Sequence, residues 1–114
     1  MAKGDLPGAF EQLVLLSVLR LGDNAYGMTV RRDIEERTER GASLGAVYAT
    51  LERLESKGYV CSRPGDAAPE REGRARRYFR ITDQGHAAAS QALRATDRMR
   101  AGLPGLEPLA GGAA

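Results

Sequence analysis

Residues 43–60, SLGAVYATLERLESKGYV, have the periodicity of an amphipathic helix with a bare outer face. Gly45, Ala46 and Ala49 fall opposite the large apolar side chains of that helix. A helix that enters the major groove of duplex DNA, about 12 Å wide, must bring its backbone close to the base edges. Bulky side chains would hold such a helix away. The bare face therefore fits contact with a duplex, although small residues on an ordinary helix surface would give the same pattern.

The same segment holds groups that can bind phosphate. Ser43 is predicted to be the N-cap of a helix that begins at Leu44, and the unpaired N–H groups of a first helical turn attract anions. Tyr48 can donate a hydrogen bond to phosphate or pack on a sugar. Arg53 and Lys57 can reach the phosphate backbone or a guanine edge.

A basic hairpin follows this helix. Strands are predicted at residues 59–63 and 76–82 because both are rich in β-branched and aromatic residues, and a loop rich in Pro, Gly, Asp and Ala lies between them. The net charge of the whole chain is only +2, yet residues 70–80 contain five arginines and two glutamates. Three arginines are expected at the hairpin tip: Arg74, Arg76 and Arg77. They could contact phosphate or probe the minor groove, or they could keep a solvated loop soluble.

Other chemistries have little support in the sequence. Cys61 and His86 are the only cysteine and histidine, so one chain can build neither a disulfide nor a closed Cys/His zinc site. No nucleophile with an adjacent base and no glycine-rich phosphate loop is visible, so we expect no enzyme activity, cofactor or metal. Cys61 is predicted to be buried or half-buried, and His86 to lie on the surface. Without a signal peptide or an apolar run of about 18 residues, the expected location is the cytoplasm, with no membrane contact.

The predicted elements follow the order helix, helix, helix, strand, basic loop, strand, helix. The first two helices are expected at residues 8–21 and 26–40, with Gly41 ending the second. Thr82 is the predicted N-cap of a last helix that reaches residue 103. This order predicts a mainly α fold with a small β-hairpin (α+β), a winged helix-turn-helix with an added C-terminal helix. The expected organisation is a winged domain at 8–81, a dimerisation helix at 82–103 and a flexible tail at 104–114.

The first and last helices suggest a second copy of the chain. The first is apolar almost all round, and the last has a stripe too thin to hold it on a core, so both gain if they pack on a partner. The predicted interface residues are Phe10, Leu13, Leu16, Ala89, Leu93, Thr96 and Met99. A two-fold dimer would place two recognition helices about 34 Å apart and favour palindromic sites. The alternative is a monomer in which these helices cover each other.

Three stretches together resemble the PadR family of bacterial transcriptional regulators. They are LLSVLRLGDNAYGMTVRRDIEE at 15–36, SLGAVYATLERLESKGYV at 43–60 and RARRYFRITDQGHAAA at 74–89. The resemblance implies a homodimeric winged-helix repressor that binds a palindromic promoter site in double-stranded DNA and leaves it when a small-molecule effector binds.

The resemblance also implies roles for single residues. The third helix of the family enters the major groove, and the matching positions are Ser43, Gly45, Tyr48 and Arg53. Tyr26 matches a phosphate-contacting position at the start of the second helix. Leu44 stands where the family usually has a proline, which only assists helix initiation. The chain has no tryptophan, so it lacks the residues with which some relatives sandwich flat aromatic ligands.

A second class of function fits the same pattern. A winged-helix module could bind another protein and use the third helix as a docking ridge instead of reading DNA. The two classes differ in their response to salt, because a complex with six to ten phosphate contacts weakens about a thousandfold or more between 50 and 200 mM salt.

Overall fold

The computed structural model describes residues 6–65 and 76–107 and confirms the predicted order of elements. In these residues four α-helices accompany one antiparallel pair of strands, so the fold is α+β. The elements are α1 (Ala9–Leu21), α2 (Gly27–Thr38), α3 (Leu44–Ser56), β1 (Val60–Pro64), β2 (Arg77–Ile81) and α4 (Asp83–Arg100). A single 3₁₀ turn, Gly22–Asn24, separates α1 from α2.

Two helices are shorter than the sequence predicted. The chain leaves α2 before Gly41, because Glu39 takes a left-handed backbone (φ 59°) while its N–H donates to the carbonyl oxygen of Glu35 at 2.9 Å. Helix α4 ends at Arg100, because Ala101 takes an extended backbone (φ −60°, ψ 131°). Both bounds depend on single backbone angles that a hydrophobic pattern does not record.

The predicted apolar stripe of α3 holds the helix on the core. Val47, Leu51 and Leu54 are fully buried, and they belong to the same cluster as Leu15 of α1 and Phe79 of β2. Burial of each such side chain stabilises the fold by about 1.5–3 kcal/mol relative to exposure. The stripe therefore fixes which face of α3 is left for solvent.

Both predicted N-caps are confirmed. The hydroxyl oxygen of Ser43 accepts a hydrogen bond from the Ala46 N–H at 3.0 Å, and that of Thr82 accepts one from the Gly85 N–H at 3.0 Å. Each such cap is typically worth about 1 kcal/mol. Gly85 also packs so closely on the residue before β1 that a Cβ there would overlap the carbonyl oxygen of Tyr59. A side chain at this position would push α4 away from the hairpin.

The β-hairpin is fastened to the turn between α1 and α2. Its register pairs Val60 with Ile81 and Ser62 with Phe79. In β2, the Phe79 N–H donates to the Ala25 carbonyl oxygen at 2.8 Å, and the Nη2 of Arg80 lies 3.0 Å from Asp23 Oδ1. The hairpin is therefore held in one position relative to α2.

The predicted burial of Cys61 is wrong, because its side chain is exposed. Burial alternates at the start of β1, where Val60 faces the core and Cys61 faces out beside its strand partner Arg80. His86 is exposed, as predicted. Among the described residues, no helix has both the length and the apolar character needed to span a bilayer.

Candidate nucleic-acid interface

The first half of α3 presents the bare face that the sequence predicted. Gly45, Ala46 and Ala49 are all exposed. A Cβ built on Gly45 has no atom of the described chain within 4 Å beyond its own immediate surroundings. Nothing in the described chain therefore prevents an outside surface from reaching the α3 backbone.

The start of α3 offers hydrogen-bond donors to such a surface. Ser43 is exposed, and its hydroxyl oxygen already accepts from the Ala46 N–H. Because that bond uses only the oxygen, the hydroxyl hydrogen is left to donate. The helix dipole adds partial positive charge at the same end of α3.

Tyr48 packs across the start of α2. Its ring lies where a side chain of Gly27 would be: a Cβ there would be 2.6 Å from the Tyr48 Oη and 2.8 Å from its Cε1. Tyr48 is still 39% exposed, so packing on Gly27 leaves part of this residue accessible from outside. Gly27 was not predicted from the sequence, although glycine in a first helical turn, where no positive φ requires it, is the signal that could have revealed it.

The hairpin adds an aromatic and cationic cluster beside Tyr26. The rings of Tyr26 and Tyr78 meet edge to face, with centroids 5.2 Å apart. The guanidinium of Arg76 lies 4.4 Å from the Tyr26 ring centroid, and that of Arg63 lies 5.0 Å from the Tyr78 ring centroid. Such contacts orient a guanidinium while keeping its charge.

Tyr78 and Arg63 are therefore site candidates that the sequence analysis missed. They are strand partners in the observed register. The length of the intervening loop left that register undetermined in the sequence, and a shift of one residue would place them on opposite faces.

Arg77 is tied to the second half of α3. Its Nη2 lies 2.7 Å from Glu55 Oε1 and 2.8 Å from Ser62 Oγ, and its Nη1 lies 4.0 Å from Glu52 Oε2. These bonds hold β2 against α3. Arg77 thus fixes the hairpin beside α3, whatever else it contacts.

Arg53 and Lys57 are brought together by one carboxylate, that of Glu11 on α1. Glu11 Oε2 lies 3.3 Å from Arg53 Nε and 3.2 Å from Lys57 Nζ, and Glu11 Oε1 accepts from the Gly8 N–H at 3.2 Å. Burial raises the pKa of Glu11, but the hydrogen bonds from Gly8, Lys57 and Arg53 outweigh it and leave the pKa below its ordinary value. The Glu11 carboxyl group is therefore ionised at neutral pH.

One predicted contact, Arg74, lies outside the described residues. Its role at the hairpin tip stays a prediction from the sequence.

Most of the residues predicted to meet a second copy retain exposed surface. Leu93 is 42% exposed and Met99 is 79% exposed, and Thr96 is also exposed. Phe10, Leu13 and Leu16 are partly buried. Ala89 is different, because it is 4% exposed and packs in the core of its own chain.

An apolar cleft runs between α1 and α4. It is lined by Leu16, Leu19, His86, Ala89, Ser90 and Leu93. Leu19 is 45% exposed and was not among the predicted residues. The surface that a second copy could cover is therefore continuous across both helices.

Comparison with known proteins points to one family. Residues 15–91 match the model of the transcriptional regulator PadR-like family. A transcriptional regulator from Clostridium thermocellum is similar in structure (TM-score 0.66, 26% identity, 80% of this chain and 84% of that chain covered). A PadR family transcriptional regulator from Eggerthella lenta (TM-score 0.63, 23% identity, 77% and 74% covered) and a PadR-like transcriptional regulator from Bacillus cereus (TM-score 0.64, 18% identity, 79% and 82% covered) share the fold. A search of the curated proteins found no significant match.

Proposed function

Because the chain belongs to the PadR-like family of transcriptional regulators, we propose that it is a homodimeric repressor that binds a palindromic promoter site and is released by a small-molecule effector. The observation that carries the DNA-binding part is the exposed, open face at Gly45 and Ala49 in the first half of α3. The family is one of transcriptional regulators, not of enzymes.

Sequence reading is assigned to the first half of α3. Gly45 and Ala49 allow its backbone to approach base edges in the major groove, where each base pair has its own pattern of donors and acceptors. Ser43, Tyr48 and Tyr26 contact the flanking phosphates and set the register of the helix. The support is that Ser43 caps the start of α3, Tyr48 packs on Gly27 at the start of α2, and Tyr26 is the residue that precedes Gly27.

The hairpin contacts the duplex beside α3. Arg76 and Arg63, each oriented by a tyrosine ring, contact phosphate or the minor groove. Arg77 contributes positive charge near the same backbone, and Arg74 is expected to extend the contact at the tip. Arg53 and Lys57 add phosphate contacts from the second half of α3.

The dimer forms through α1 and α4. Its support is the continuous apolar surface that includes Leu16, Leu19 and Leu93, since large exposed apolar patches mark association surfaces. Two-fold symmetry then places the α3 helices about one DNA turn apart, and the site is palindromic.

Effector binding requires the dimer. The cleft between α1 and α2, lined in part by Phe10, Leu13 and Ile34, has a volume of about 170 Å³. Small-molecule sites usually measure about 300–1,000 Å³. Phe10 and Leu13 line this cleft and are also predicted interface residues, so we propose that a second copy completes the site and that a single chain does not bind the effector tightly.

Binding to genomic DNA tests the proposal. Purified protein is incubated with fragmented genomic DNA, the bound fragments are sequenced, and a selected fragment is titrated by fluorescence anisotropy. We expect a palindromic motif and a loss of affinity of about a thousandfold or more between 50 and 200 mM salt. Absence of an enriched motif together with weak salt dependence would refute DNA reading and favour a protein-binding module.

A further inference from the structure

We propose that Glu11 competes with DNA phosphate for Arg53 and Lys57 and thereby lowers the affinity for DNA of any sequence. This inference rests on the proposed DNA-binding function. It assigns a role to a carboxylate on α1 that lies outside the recognition helix and the hairpin.

Glu11 is the fixed partner in this cluster. Its side chain is 12% exposed, and the Gly8 N–H holds Oε1 at the start of α1. The side chains of Arg53 and Lys57 are 56% and 43% exposed. The two cations therefore lie on the solvent side of a carboxylate that is itself held in place.

The bonds in the cluster are suited to exchange. The distances from Glu11 to Arg53 and Lys57 are 3.2–3.3 Å, whereas strong charge-assisted N–H···O bonds measure about 2.7–2.9 Å. Glu11 is largely buried, so loss of both cations would leave its carboxylate without charged partners, which is unfavourable. An outside phosphate, which offers the same kind of anionic oxygen, can therefore take either cation only in competition with Glu11.

The position of the cations on α3 places them near the phosphates that border the groove. Ala46, Arg53 and Lys57 are seven and then four residues apart, so they share one stripe of the helix. The helix rises 1.5 Å per residue, which puts Arg53 about 10 Å along the axis from Ala46. With the first half of α3 in a groove about 12 Å wide, the second half lies at its phosphate edge.

The consequence is a lower affinity for every duplex. Phosphate contacts contribute to binding at every sequence, whereas base contacts contribute only at the correct one. A carboxylate that withholds two cations therefore weakens specific and non-specific complexes alike and leaves the contacts that read bases unchanged.

The test compares Glu11→Gln with a control that changes the net charge equally. Glutamine still accepts the Gly8 hydrogen bond, so the start of α1 is kept. Glu36→Gln is the control, because Glu36 is exposed on α2 and outside the proposed interface. Each variant is titrated by anisotropy with a labelled 30-base-pair duplex of random sequence at several salt concentrations, and circular dichroism melts establish that each is folded.

We expect Glu11→Gln to bind the random duplex more tightly than Glu36→Gln and with a steeper salt dependence. Two released cations steepen the slope of log affinity against log salt by up to about 1.8, so the ratio of variant to parent affinity falls about twelvefold between 50 and 200 mM salt. Glu11→Asp keeps the charge but shortens the reach, and it should give a smaller gain. The gain should vanish when Arg53→Gln and Lys57→Gln are added.

Two other results would overturn the proposal in different ways. If Glu11→Gln behaves as Glu36→Gln does, or binds more weakly, Glu11 is not a competitor and the inference is overturned while DNA binding stands. If the parent protein binds no duplex in a salt-dependent manner, the proposed function fails and this inference fails with it.

Discussion

Gly27→Ala should move the Tyr48 side chain with little effect on the stability of the fold. The added methyl group would lie 2.6 Å from the Tyr48 Oη and 2.8 Å from its Cε1, so the tyrosine ring must leave its place. Because these atoms are the far end of a side chain that is 39% exposed, the ring can rotate into solvent. The substitution thus moves one proposed phosphate contact and leaves the backbone unobstructed.

The expected change in stability is small. Alanine is favoured over glycine in a helix by up to about 1 kcal/mol, and this gain offsets part of the packing lost when the ring moves. A change of 1 kcal/mol shifts the Tm of a domain of 60–100 residues by about 4–8 °C, so we expect a shift below about 5 °C. Gly41→Ala is the matched control, since a Cβ at Gly41 meets open space.

The expected change in DNA binding is larger. A hydrogen bond to a charged group is worth about 1.5–3 kcal/mol, so loss of the Tyr48 contact should weaken binding about tenfold to a hundredfold. The assay is anisotropy with a genomic fragment selected by the parent protein, and Tyr48→Phe, which removes only the hydroxyl, should give a similar loss. Parent-like binding by Gly27→Ala beside weak binding by Tyr48→Phe would refute the inference that Gly27 sets the position of Tyr48.

Three further outcomes are expected. Gly85→Ala should lower the Tm by at least about 4 °C, because the added methyl group meets the Tyr59 backbone oxygen and overpacking costs about 1–3 kcal/mol. An unchanged Tm in a thermal melt would contradict this packing. The pKa of Glu11 is lowered by folding, so the ionised carboxylate stabilises the fold at pH values above its unfolded-state pKa. This stabilisation is lost as the pH falls through the folded-state pKa. The Tm of the parent protein should therefore exceed that of Glu11→Gln by a constant amount near neutral pH and by less in acid. A constant advantage down to about pH 3 would show that the pKa is not linked to folding. Leu93→Asp should convert the proposed dimer into monomers in sedimentation velocity while the circular dichroism spectrum is kept, and a dimer that persists would remove α4 from the proposed interface.

Features that depend on residues close together in the chain were predicted correctly from the sequence. The apolar stripe of α3 repeats with the helical period, and its cap at Ser43 is a bond between residues three apart. The same holds for the cap at Thr82. Such features depend on neighbours along the chain, so the order of helices and strands, the fold class and the open face at Gly45 and Ala49 followed from residue types and spacing.

Partners of individual side chains were decided by the tertiary structure. Glu11 and Arg53 are 42 positions apart, and the contacts of Tyr48 with Gly27 and of Tyr78 with Tyr26 also cross between elements. Each needs the crossing of two elements, or the register of a hairpin, to be fixed first. The exposure of Cys61 depends on the same register, because successive residues of a strand face opposite sides. The sequence by itself determined which residues could bind an anion. Only the packing of α1 against α3 determined that two of these residues, Arg53 and Lys57, already pair with the carboxylate of Glu11.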